Sequence, residues 1–150
     1  MIDPLADPLA ADLLAAAPED VAALAARFRA AADGADMTGA GLTAAEHDAT
    51  WRGAAADRFR GSIRPLPGRL ADVQAGYAEV ARALNVYEPE LARIRSGFLR
   101  VIGARGDNPD PAEATRLSRQ AQVLLDEFAA ARDACRAAVA AAQVTAPVRP

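Results

Sequence analysis

The chain has 150 residues, 52% of them hydrophobic, and a formal net charge of −3, which is material for one folded domain. Mild acidity argues against the basic stripe that nucleic-acid binding needs. No apolar run approaches a membrane span, and Cys135, the single cysteine, rules out an internal disulfide. Alanine fills 41 positions, and all 17 basic residues are arginines. Alanine is the best helix former but buries little area. With aromatics at 5% and no strand-like alternation, the composition predicts an all-α protein with close helices and a thin core.

Residues 1–17 read as an N-terminal arm. Pro4 and Pro8 break it, and Leu9, Leu13 and Leu14 suit either a short helix or an extended arm. No positive n-region precedes them, so no general secretory signal is read there. A helical bundle domain is expected over 18–143, followed by a tail or linker at 144–150. The first long helix starts at Pro18, with Glu19 and Asp20 suiting its positive end. Val21, Leu24, Phe28, Ala31 and Ala35 form its stripe, and it should fade between Gly34 and Gly39. Residues 39–50 then read as a connector punctuated by Gly39 and Gly41, with Asp48 or Thr50 capping the next helix.

Trp51-Arg52-Gly53 follows, at the head of a long apolar pattern. From Phe59 it runs through Ile63, Leu66, Leu70, Val73, Tyr77, Val80, Leu84, Tyr87, Leu91, Ile94 and Phe98 to Val101 in steps of three and four. That spacing belongs to helices packed lengthwise. A straight helix from Ala56 to Val101 would reach about 65–70 Å, so an elongated bundle is expected. Pro65 and Pro67 predict a kink, or a helix end followed directly by a new helix, and Pro89 predicts a bend. Arg58, Arg60, Arg64 and Arg69 read as a solvated helix face.

Residues 103–111 are a turn, and Asp110-Pro111-Ala112-Glu113 is a helix start. The last helix carries Ala114, Leu117, Ala121, Leu124, Phe128, Ala131, Cys135 and Ala138, and should end near Gln143.

The chemistry-bearing residues form no constellation. His47, between Glu46 and Asp48, reads as a surface histidine, and no set has metal-ligand spacing. Asp107-Asn108-Pro109-Asp110 lacks the ligands of a calcium loop. No catalytic residue, metal or cofactor is expected, and the chain is not read as an enzyme.

Trp51-Arg52-Gly53, with Ala54-Ala55-Ala56 and Phe59 after it, resembles the WXG100 (ESAT-6-like) family over roughly residues 18–91. The resemblance implies a helical hairpin with Trp-x-Gly in the turn, followed here by an additional C-terminal helix. It further implies a substrate or substrate partner of a type VII secretion system, made in the cytoplasm and exported. The chain resembles in particular the variants at the N-termini of actinobacterial polymorphic toxins, which stand ahead of a toxin domain. Trp51, Gly53 and Phe59 would form the turn and partner contact. The implied partner is a small helical protein of the same kind or the secretion ATPase; a self-dimer is the third option. One departure stands out. The family's Tyr-x-x-x-Asp/Glu motif is missing, since Leu91 stands four after Tyr87 and Ala81 four after Tyr77. That favours the alternative of a cytoplasmic coiled-coil adaptor or chaperone-like protein that is not secreted.

Overall fold

A computed structural model describes residues 3–145, with side chains through residue 142. Among the described residues the chain is all-α. A short 3-10 turn at Pro4–Ala6 precedes helices α1 (Pro8–Ala15), α2 (Pro18–Glu46), α3 (Ala54–Ile63), α4 (Leu66–Arg105) and α5 (Pro111–Thr145). The tail expected at 144–150 begins inside α5, and its last five residues lie outside the described ones. Two compact units share the chain: Met1–Ala23 with Ala83–Ala137, and Leu24–Arg82 with Ala138–Pro150.

The first unit holds the large core side chains. Leu91, Ile94 and Phe98 of α4 are buried with Ala121, Leu125 and Phe128 of α5, and Ala10 and Leu13 of α1 join them. Leu13 is therefore part of this core: of the two forms the arm could take, Pro8–Ala15 is the short helix, with Ala10 and Leu13 as its buried side. Two Asp-Pro pairs start this segment. Asp3 accepts from the Leu5 amide at 3.1 Å and Asp7 from the Leu9 amide at 2.9 Å, each followed by a proline in the first turn, where its missing N–H costs nothing. Arg95 donates to the Leu14 carbonyl at the other end of α1, at 3.4 Å. Asp110-Pro111 starts α5 in the same way, with the Ala112 amide 3.2 Å from the Asp110 carboxylate.

The second unit is built on alanine. Its buried described residues include Ala25, Ala32, Ala56, Ala78 and Ala81, with Ile63 and Val80 among them. Here α2 runs through Gly34, Gly39 and Gly41 to Glu46, so the expected fade did not occur and the connector shortens to residues 47–53. Thr38 and Thr43 return their hydroxyls to the carbonyls of Gly34 and Gly39 at 2.9 and 3.0 Å, as threonines do inside a helix. At Gly39 the helix passes close to α4: a Cβ there would stand 3.8 Å from that of Leu70. Phe28 of α2 meets Tyr77 of α4 edge-on, with ring centroids 5.8 Å apart.

The prolines act in two ways. The helical path breaks at Arg64–Pro65, between α3 and α4, and Pro67 falls in the first turn of α4. At Pro89, by contrast, α4 continues. The carbonyl that loses its donor there belongs to Asn85, and Asn85 is exposed, so water can serve it. Of the predicted stripe, Ile63, Val80, Leu84, Leu91, Ile94 and Phe98 are buried. Leu66, Leu70, Val73 and Tyr87 are half-buried, while Phe59 and Tyr77 are 40% and 39% exposed.

The two cores respond differently to substitution. Phe98→Ala and Leu13→Ala should each lower stability by about 2–5 kcal/mol in chemical denaturation. Gly34 and Gly41 sit mid-helix with open space where a Cβ would go. Gly34→Ala and Gly41→Ala should therefore raise stability by roughly 0.5–1 kcal/mol each; a loss in both would return this stretch to the connector.

Candidate interaction site at the Trp51 turn

The seven residues from His47 to Gly53 reverse the chain between α2 and α3, and their own polar groups hold the turn. The Asp48 carboxylate accepts from the Thr50 amide at 2.9 Å and from its hydroxyl at 2.7 Å. These bonds, the hydroxyl first, hold the Asp48 carboxyl below its ordinary value. Asp48 thus ties the loop to itself and does not cap α3, contrary to the sequence expectation. The N-cap is Gly53, which makes no side-chain bond and has φ of 108° and ψ of 178°. That conformation is open essentially to glycine alone, so the third letter of Trp-x-Gly is a backbone requirement.

Arg60 closes the turn from α3. Its guanidinium donates to the Asp48 carbonyl at 2.6 Å and also to the Trp51 carbonyl, and reaches Asp57 at 3.4 Å. Arg64 pairs with Glu46 at 2.9 Å, linking the end of α2 to the residue after α3. Arg52 donates to the Ala49 carbonyl at 3.2 Å. The reading as a plain solvated face is therefore corrected for Arg60, whose side chain is 19% exposed and binds the connector, whereas Arg64 stays solvated while it pairs with Glu46. Arg64 has no acid three or four residues away along the chain, but Arg60 has Asp57, so the sequence carried no signal for its bonds to the loop. The His47 ring Nδ1 lies 2.8 Å from the Thr43 carbonyl, one turn back on α2.

On this polar frame the Trp51 indole leans against the Phe59 ring, with centroids 5.4 Å apart and planes at 54°. Such a pair contributes about 0.5–1.5 kcal/mol beyond area burial. Trp51 stays 48% exposed, however, so the indole is braced without being buried. Trp51, Gly53 and Phe59 come together at this turn. The stripe residues from Ile63 onward do not join them; they pack along the helices instead. What the turn can do is present two aromatic rings on a fixed loop.

Comparison with family models, with curated proteins and with solved structures finds no match for this chain. Among the described residues no helix is long and apolar enough to cross a membrane.

Gly53→Ala should cost about 1–3 kcal/mol, because no relaxed alanine conformation fits that φ and ψ; equilibrium unfolding measures it. The Asp48 carboxyl titrates lower folded than unfolded. Its hold on Thr50 should persist above the ordinary carboxylate value and vanish as pH falls through the lower folded value. Carboxyl NMR titration, with Asp48→Asn as control, would read this directly.

Proposed function

We propose that this chain is a WXG100-like helical module that binds a protein partner through its Trp51 end and serves type VII secretion. The partner is a small helical protein of the same kind or the secretion ATPase. The observation that carries the reading is the exposed Trp51, braced on Phe59, at a Trp-x-Gly turn between two helices. Tryptophan is enriched at binding hot spots, and a ring held by its own loop loses little conformational freedom on association. In the fullest form of the reading the module stands ahead of a toxin domain and targets it for export.

A second reading has one observation in its favour. The missing Tyr-x-x-x-Asp/Glu motif fits a cytoplasmic adaptor that uses the same turn without export.

The test is export of a reporter fused to this chain, in an actinobacterial host with its type VII system intact or with the ATPase deleted. The reporter should reach the medium only with the ATPase present. Trp51→Ala should reduce export at least tenfold while leaving the helical circular dichroism unchanged. Retention of the wild-type fusion inside both hosts would overturn the secretion reading and leave the adaptor.

A further inference from the structure

Within the first unit, the C-terminal part of α4 and the first half of α5 leave an open groove of about 610 Å³. Gly97 and Val101 from α4 and Leu117 and Leu124 from α5 form its apolar floor. A Cβ on Gly97 would stand 3.3 Å from Leu124, so the glycine lets this floor close up. Val123 lines it too and is 55% exposed, an uncovered apolar side chain. The rim is cationic: Arg100, Arg116 and Arg119 line it, and no Asp or Glu does. This happens in a chain with more acidic than basic residues, 20 against 17. Arg116 is engaged by Glu113. Arg100 reaches the Ser96 carbonyl, at 3.4 Å, and Arg119 has no ion pair or hydrogen bond among the described residues.

The same helix pair already holds one short helix. Ala10 and Leu13 of α1 are buried against α4 and α5, and acidic side chains at the edges of that N-terminal segment meet guanidinium groups. Asp3 pairs with Arg105 at 3.0 Å, and Asp12 approaches Arg132 at 4.0 Å. Apolar anchors one turn apart, with carboxylates at the margin, are thus the chemistry this surface accepts. The groove repeats the receptor half of that arrangement on an adjacent side. It runs from Gly97 to Ala104 on α4, roughly 10 Å or two helical turns.

We infer that this groove docks a short amphipathic helix of another protein, with apolar residues on one face and Asp or Glu along its edges. The apolar face would cover Val123 and Leu124, and the acidic edge would meet Arg100 and Arg119. Helix-in-groove binding of this kind reads anchors spaced three and four apart. No Trp51-turn residue lines the groove, so its occupant is independent of the secretion reading.

The probe is a fluorescein-labelled peptide of fourteen residues with Leu at one helical face and Glu on both flanks, set against the same peptide with Lys for Glu. Fluorescence anisotropy with the full chain should show saturable binding of the Glu peptide, weakening as salt rises. The Lys peptide, the double variant Arg100→Glu with Arg119→Glu, and Val123→Asp should each bind at least tenfold more weakly. These positions are exposed, so the variants should keep the wild-type unfolding midpoint to within a few degrees. Trp51→Ala should bind the peptide as wild type does, which separates this result from the export assay. Absence of binding, or equal binding of both peptides or by the groove variants, would overturn the inference. So would stoichiometric oleate binding without peptide binding, which would make the groove a fatty-acid site. A concentration-dependent dimer that the groove variants abolish and the peptide fails to disperse would overturn it too, giving the groove to a second copy.

Discussion

Alanine helices can approach closely, but each contact removes little apolar surface from water, at roughly 25 cal/mol per Å². Everything else in this fold depends on where the few large side chains fall. In the first unit Leu91, Ile94 and Phe98 lie one turn apart on α4 and meet Leu125 and Phe128 of α5. Two helices alone would leave the third side of Phe98 and Ile94 open. Leu13 closes it, which is why a short, proline-started helix at the N-terminus belongs to the core. The ion pairs around that core, such as Arg93 with Glu90 and Glu127, are half exposed and add little by comparison.

How much of this was legible depends on which signal each segment carried. The three-four spacing along α4 gave its buried face directly, because a residue's place on a helix follows from its number. It did not separate Phe59 and Tyr77 from the rest, since exposure is set by what lies opposite and not by phase. The second unit buries mostly small alanines and leaves these two rings partly uncovered. The N-terminal helix was readable by a rule that also holds further along the chain. Asp-Pro marks the start of α5, and the same pair at Asp3-Pro4 and Asp7-Pro8 starts the N-terminal turn and α1. There the prolines read as breakers because no long apolar stripe followed. In α2 the three glycines suggested a connector. Each costs about 1 kcal/mol in propensity; Gly39 alone lies close to Leu70, while Gly34 and Gly41 face open space and are carried by the helical residues on either side.

At the turn, Trp51, Gly53 and Phe59 could be named from their letters. The parts that hold them could not. The sequence offered Asp48 or Thr50 as the cap of α3, but the acceptor chemistry that suits Asp48 for a cap serves equally to close its own loop on Thr50. Backbone geometry at Gly53 decides between them, by placing the N-cap where no side chain exists. Arg60 lies 9 residues from Trp51 in sequence, and its bonds to loop carbonyls depend on the angle between α3 and the connector. A sequence holds no measure of that angle.

The unequal cores bear on how a partner would be felt. The second unit, which carries the Trp51 turn, buries mostly alanine, so its local opening should cost less free energy than opening around Phe98. A ligand that binds only the closed form adds RT ln(1 + [L]/Kd), about 2.7 kcal/mol at a hundred times Kd. The same increment is a larger fraction of a small opening energy than of a large one. A partner at Trp51 should therefore slow amide exchange most in α3 and the first turns of α4. A helix in the α4–α5 groove would add its increment to a unit whose slowest amides already exchange through deep openings. Exchange mapped residue by residue would thus tell the two surfaces apart, even for a partner whose docking position is unknown.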